Sequence, residues 1–187
     1  MTTLLAQAAL PTARTIRWWP LALVVAPLAG LVLLARGGDR PAEPALLLAA
    51  AALASVVVSA LRDEAASTIE AVPAPIVHRR ALRLALVGVP VLAVWWALMS
   101  LVGTGRPATA SLLALAAWGV AVATRGTSQE TSRRWLLTGS AVPVVWFVLD
   151  HLLADRGSLG VALGLWRTDP WPLLAVAAVA VVLGSRR

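Results

Sequence analysis

Six long apolar runs, separated by short polar stretches, constrain the fold of this 187-residue chain more than any other feature. Only 13% of the residues are charged and the mean hydropathy is +0.82, whereas soluble domains carry about 25% charged residues. A helix of 17 to 20 residues spans roughly 25 to 30 Å, about one hydrocarbon thickness. The pattern therefore predicts an all-α membrane protein with six transmembrane helices. The runs cover residues 18–35, 45–61, 84–102, 108–124, 135–153 and 171–184.

The last run is short for a membrane crossing, because it contains only residues 171–184. A second apolar piece, SLGVALGLW at residues 158–166, lies just before it and is too short to cross alone. Non-helical or partial segments at membrane depth are tolerated where protein or a water-filled cavity surrounds them. Two interpretations remain open: a re-entrant or interfacial helix before span 6, and a part of a long outer loop.

The arginines predict the orientation. All sixteen basic residues are arginines, and with the N-terminus inside, the inner segments hold eleven of them and the outer segments five. Cytoplasmic segments of membrane proteins are enriched in Lys and Arg. We therefore expect a multi-pass protein of a bacterial cytoplasmic membrane with both termini in the cytoplasm. Residues 1–16 are expected to form an N-terminal interfacial segment and residues 17–187 the six-span domain.

Motifs for catalysis and for direct cofactor binding are absent from the sequence. It contains no GxxxxGK[ST] phosphate loop, no HExxH and no GxSxG. It also has no cysteine and only two histidines, far apart, which argues against a metal centre. The predicted protein is not an enzyme by itself, and it binds no metal or cofactor directly.

A few polar and aromatic side chains inside the apolar runs are candidates for a substrate path. An acid near the interior of a span is costly and is by default a functional candidate. The alternative is that the acid and the neighbouring histidine extend to the outer headgroups. The tryptophans either line a path for an amphipathic substrate or simply pack. These candidates are Trp95, Trp96, Trp118, Trp146, Asp150 and His151.

The longest polar segment, residues 62–83, contains a short helix-compatible stretch. Ala66, Ile69 and Val72 recur every three residues and therefore share one face of a helix. Pro73 ends that helix, because proline lacks the amide donor and clashes with the preceding turn. Such a segment either binds something in the cytoplasm or is a solvated loop between two spans.

Residues 62–75, RDEAASTIEAVPAP, resemble the cytoplasmic signature of ABC-2-type exporter membrane subunits. In that family a run of charges, a G/S-T-L/I-E core and a proline-ended helix lie between spans 2 and 3. That coupling helix docks in a groove of the ATPase subunit. The overall layout of the chain also resembles the family. Ser67 stands where the family usually has Gly, and the chain is shorter than typical members, so that its external part is reduced.

The resemblance implies a permease subunit of an ATP-driven exporter that moves an amphipathic or hydrophobic substrate out of the cell. ATP and Mg would be bound by a separate ABC ATPase subunit. The other implied partners are a second permease subunit, identical or related, and membrane lipid, with no nucleic acid. The alternative function is a non-transporting membrane scaffold or sensor-associated anchor. The implied ATPase-docking residues are Asp63, Glu64, Ala66, Thr68, Ile69, Glu70 and Val72.

Overall fold

The structure, a computed structural model, describes residues 18–37, 42–61, 76–102, 109–125 and 129–185. These residues form seven α-helices and no strand, which confirms the all-α prediction for the described part of the chain. The helices are α1 Trp19–Gly37, α2 Glu43–Ser59, α3 Ile76–Ser100, α4 Thr109–Ala123, α5 Gln129–Leu153, α6 Ser158–Thr168 and α7 Pro170–Ser185.

The helices reproduce the apolar runs, with two extensions. α3 begins at Ile76, immediately after Pro75, and α5 begins at Gln129, ahead of the apolar residues. Nothing in these polar stretches breaks a helix, and arginine, glutamine and glutamate are good helix formers. Arg80 and Arg83 therefore belong to the first turns of α3. Residues 158–168 are helical, so the interpretation of this piece as a loop is wrong.

The described helices do not support six crossings. Three are long and apolar enough to span a membrane: α1, α3 over Arg80–Ser100, and α5 over Arg133–Leu153. α6 and α7 add a fourth candidate if the pair, bent by 87°, is one broken span. α2 and α4 have only 17 and 15 residues. The run predicted at α2, residues 45–61, has the same length as the helix, and the run predicted at α4, residues 108–124, is two residues longer than the helix.

The two short helices lie at the centre of the bundle. α2 packs against α1, α3, α4 and α5, whereas α4 packs against α2, α5, α6 and α7. Three consecutive alanines of α2, Ala49, Ala50 and Ala51, are fully buried, and small side chains of this kind let helices approach closely. In contrast, the buried residues of α1 are Leu28 and Val32, so most of that helix faces outward.

A small apolar cluster marks one end of the bundle. It joins the last turns of α2 and α4 to the beginning of α3, the first half of α5 and the end of α7. We call this the Leu61 end, and the opposite end, where α5 finishes and α6 lies, the Asp150 end. The buried members of the cluster are Val58, Leu61, Val120 and Ala123, with Leu84, Leu136 and Val181 packed against them.

α4 and α5 run antiparallel and touch backbone to backbone at two glycines. A Cβ atom added to Gly139 would lie 2.5 Å from the carbonyl oxygen of Gly119 and 2.8 Å from the amide nitrogen of Ala123. Side chains do not approach backbone atoms so closely, so only glycine fits this crossing. The contact fixes the register of the two helices, and it brings Trp118 level with Trp146.

Candidate functional site

Asp150 is fully buried and paired with the end of α6. Arg167 Nη2 donates to Oδ1 at 2.9 Å, and Trp166 Nε1 donates to Oδ2 at 3.0 Å. Arg167 Nε lies 2.6 Å from Oδ2 as an ion pair, although this N–H is not aligned for a hydrogen bond. A buried carboxylate is tolerated only with such partners. Asp150 is therefore turned into the protein and does not extend to the outer surface.

The short connection between α5 and α6 places these partners over Asp150. α5 ends at Leu153, and the chain reverses direction at Gly157, which has a φ of +57°. L-residues with side chains rarely adopt this φ. α6 then lies so close to the end of α5 that a Cβ at Gly160 would be 2.6 Å from the Leu153 carbonyl oxygen. The turn thus folds α6 back onto the last turns of α5.

A second polar contact joins α5 and α6 one turn before Asp150. Trp146 Nε1 donates a hydrogen bond of 3.0 Å to the carbonyl oxygen of Leu163. Positions 146 and 150 lie on one face of α5, because residues four apart on a helix are neighbours. We refer to the five residues of these two contacts as the α5–α6 clasp. They are Trp146, Asp150, Leu163, Trp166 and Arg167.

α4 approaches the clasp with an aromatic ring and two buried polar atoms. The rings of Trp118 and Trp146 are tilted by 44°, with centroids 5.8 Å apart. Within the described part of the chain, Ser111 Oγ and Trp118 Nε1 are buried with no hydrogen-bond partner. An unpaired buried polar group costs about 1–3 kcal/mol. Positions 111 and 118, two turns apart on one face of α4, therefore leave two polar atoms unpaired in the interior of the described bundle.

The other candidates of the predicted substrate path lie apart from the clasp. Trp95 is buried, and its Nε1 donates to Thr109 Oγ1 at 3.3 Å. Trp96 is 61% exposed on the outer surface of α3. His151 is exposed, with Nδ1 3.1 Å from the Phe147 carbonyl oxygen and its ring against the Phe147 ring. The structure thus brings three of the six candidates together, on α4 and α5, and leaves these three outside.

Trp166 and Arg167 are site residues that the sequence analysis did not single out. Arg167 was counted only as one of the outer arginines. The available signal was its charge: an arginine follows the buried acid by 17 residues, across a connection that contains a glycine turn. Opposite charges on the two arms of a tight helical hairpin are candidates for an ion pair.

Several predicted residues cannot be placed. The N-terminal segment 1–16 and the ATPase-docking positions Asp63, Glu64, Ala66, Thr68, Ile69, Glu70 and Val72 lie outside the described residues. Among the residues that are described, no group of three or more His, Cys, Asp or Glu side chains is arranged to hold a metal ion.

Comparisons of the chain with protein-family models, with curated proteins and with solved structures found no match. The hydrogen bonds of the α5–α6 clasp indicate what these residues can do. Both carboxylate oxygens of Asp150 are engaged by donors from α6. This arrangement is suited to holding one helix against another inside an apolar bundle.

Proposed function

We propose that this chain is the permease subunit of an ATP-driven exporter, which docks a separate ATPase subunit through a cytoplasmic helix at residues 63–72. The observation that carries the proposal is the position of the RDEAASTIEAVPAP motif in the sequence, between the residues that form α2 and α3. α2 ends at the Leu61 cluster, and α3 begins at Ile76 on the same side of the bundle. A segment that starts and ends there is attached to the ends of two packed helices, and a force applied to it is transmitted to both.

The arginines support a cytoplasmic location for the Leu61 end. The first turns of α3 carry Arg80 and Arg83, Arg125 follows the end of α4, and Arg133 and Arg134 lie near the beginning of α5. Basic residues concentrate on the cytoplasmic side of bacterial membrane proteins. Residues 62–75 would then meet a cytoplasmic ATPase, with ATP and Mg bound by that partner and not by this chain.

Six crossings remain part of this proposal despite the shortness of α2 and α4. A helix must match the bilayer thickness where its surface faces lipid, because unmatched apolar surface meets water. α2 and α4 are surrounded by other helices over much of their surface. At about 1.5 Å per residue they cover roughly 22 to 26 Å, and protein groups or turns can complete the crossing.

The side chains in the interior of the Asp150 end support the proposal that the transported substrate is amphipathic. The indole rings of Trp118 and Trp146 offer apolar faces, and Ser111 Oγ and Trp118 Nε1 offer buried hydrogen-bonding atoms. A molecule with a large apolar part and a few polar atoms would match the chemistry of these groups. The α5–α6 clasp would lie at the outer side of this route, where release to the exterior takes place.

The proposal is tested by Ile69→Asp. In the proposed docking helix, Ile69 is the middle of the apolar face, and burial of an isoleucine contributes about 1.5–3 kcal/mol. The carboxylate removes this contact and adds an unpaired charge in a desolvated groove. We expect the variant to insert normally but to lose the ATPase during co-purification and to lose coupled ATP turnover in reconstituted vesicles.

Ile69→Leu is the matched control, because it keeps an apolar side chain of the same volume, and it should retain both activities. Normal ATPase binding and turnover in Ile69→Asp would contradict the coupling role of this segment. Isolation of the wild-type chain with a cytoplasmic partner that is not an ATPase would favour the scaffold or anchor function instead.

A further inference from the structure

Asp150 is a buried carboxylate in aromatic surroundings. Among the described side chains, it is the one acid that is buried. Trp166 donates to it from the indole N–H, and Trp146, one turn earlier on α5, has its ring against Trp118. A carboxylate beside indole rings is suited to organic cations, because the carboxylate supplies the opposite charge and the ring faces attract positive charge.

The position beside Asp150 already holds a cation, which the protein itself supplies. Arg167 reaches the carboxylate from α6, and its Nη2 lies 2.9 Å from Oδ1. The Arg167 side chain is 32% exposed, whereas Asp150 is fully buried. The guanidinium therefore connects the surface of the described bundle with the buried acid. Its place is a position built for a positively charged group, and the arginine stem marks a route to it from the surface.

Arg167 is incompletely bonded in this position. Its Nε lies 2.6 Å from Oδ2, yet this buried N–H has no hydrogen-bond partner. An unpaired buried donor raises the free energy of the bound arrangement, and water would satisfy it if the side chain turned outward. Asp150, in contrast, requires a partner, because an unpaired buried carboxylate is costly. Exchange of Arg167 for another cation keeps the acid paired and lets the arginine become solvated.

We propose that Asp150 binds the charged group of an amphipathic organic cation, and that Arg167 occupies this site until such a cation displaces it. The ammonium or guanidinium group of the ligand pairs with the carboxylate, and its apolar body lies against the indole rings of Trp146 and Trp166. The inference names a substrate class for the proposed exporter and rests on that proposal for the transport step. Binding itself requires no ATPase.

The other bonds of the α5–α6 clasp do not oppose this exchange. Trp166 Nε1 donates to Oδ2, and Trp146 Nε1 donates to the Leu163 carbonyl oxygen, so neither bond involves Arg167. α6 can therefore stay on α5 while the cation at Oδ1 changes. A neutral amphipath is a poorer occupant, because it brings no charge to pair the carboxylate, and an anion would add a like charge beside it.

The test measures binding of dansylcadaverine to the purified full-length chain in phosphatidylcholine nanodiscs, with empty nanodiscs as the blank. This probe carries an ammonium group on a short alkyl chain, and energy transfer from the tryptophans to the dansyl group reports its binding. We expect Arg167→Gln to bind it about fivefold more tightly than wild type, because the internal competitor is gone. Asp150→Asn, and Asp150→Asn/Arg167→Gln alike, should bind it about thirtyfold more weakly than Arg167→Gln. N-acetylated dansylcadaverine, which is uncharged, should bind all four chains equally.

Arg156→Gln is the matched control, because it removes the same charge from an exposed arginine between α5 and α6. It should leave the affinity within about twofold of wild type. Equal tightening by Arg156→Gln, or no tightening by Arg167→Gln, would overturn the proposal. A gain of affinity does not arise from misfolding, so Arg167→Gln decides the question even if Asp150→Asn folds poorly. The assay contains no ATPase, so its failure is distinguishable from a failure of ATPase docking, which Ile69→Asp tests.

Discussion

Asp150 is held by side chains that follow it by 16 and 17 residues, and this pairing is what makes a buried acid tolerable in an apolar bundle. Asp150→Asn removes the charge and leaves the Arg167 guanidinium without its counter-ion. Loss of one partner of a fully buried pair costs about 3–5 kcal/mol. The Arg167 side chain is 32% exposed and can turn toward water, so a smaller loss is expected, about 1–3 kcal/mol. Thermal unfolding of the purified chain in detergent measures it.

His151 is the control position for the Asp150 substitution. It is adjacent to Asp150 in sequence but exposed, and its ring contacts Phe147 in the preceding turn of its own helix. His151→Asn should change stability by less than about 0.5 kcal/mol.

Adding Arg167→Gln to Asp150→Asn should cost less than the sum of the two single changes, because each single change already breaks the pair. Strict additivity, or an Asp150→Asn variant as stable as wild type, would show that the clasp contributes nothing.

The close contact between Gly119 and Gly139 fixes the position of α4 relative to α5. Gly139→Ala would place a methyl group 2.5 Å from the Gly119 carbonyl oxygen, so the helices must separate. Overpacking of this kind costs about 1–3 kcal/mol. The separation should also loosen the contact between Trp118 and Trp146. We expect a lower midpoint of thermal unfolding, together with a shift of tryptophan fluorescence.

Gly88→Ala is the control for Gly139→Ala, since a Cβ at Gly88 would meet no atom of another described helix within 4 Å. The same substitution in α3 should therefore leave stability unchanged or raise it slightly, because alanine favours helices. If both variants lost stability to the same extent, the effect would come from glycine replacement in general and not from the crossing of α4 and α5.

At the scale of the whole molecule, the number of crossings is decided by α2 and α4. The sequence contains no cysteine, so single cysteines can report the side of each connection. We introduce them at Asp39, Ser67, Thr104 and Ser128 and label intact cells with a membrane-impermeant maleimide. Six crossings predict reaction at Asp39 and Thr104 and protection at Ser67 and Ser128.

Each pair of positions reports whether one helix crosses the membrane. Asp39 and Ser67 flank α2, whereas Thr104 and Ser128 flank α4. Equal labelling of the two positions in a pair would mean that the helix between them does not cross. Labelling of Ser67 and Ser128, with Asp39 and Thr104 protected, would show that the orientation is the reverse of the one inferred from the arginines. Permeabilised cells provide the control, because all four cysteines should then react.

The sequence alone determined where helices form. Each apolar run coincides with a helix to within a few residues, except that α3 and α5 begin earlier, at Ile76 and Gln129. A helix satisfies its backbone hydrogen bonds within its own segment, so local apolar composition was sufficient to predict these helices, although Pro27, Pro90 and Pro143 lie inside three of them. Asp150 was recognisable for a similar local reason: it is an acid near the end of an apolar run.

Only the tertiary structure decided which helices are enclosed and what Asp150 contacts. The six apolar runs are similar in sequence, yet α2 is largely buried and α1 largely exposed, because burial depends on the neighbours that a helix acquires. Likewise, the pairing of Asp150 with Trp166 and Arg167 requires the turn at Gly157 and the return of α6. A pattern of residue types carries no distance between positions separated by such a turn, so these contacts follow from packing alone.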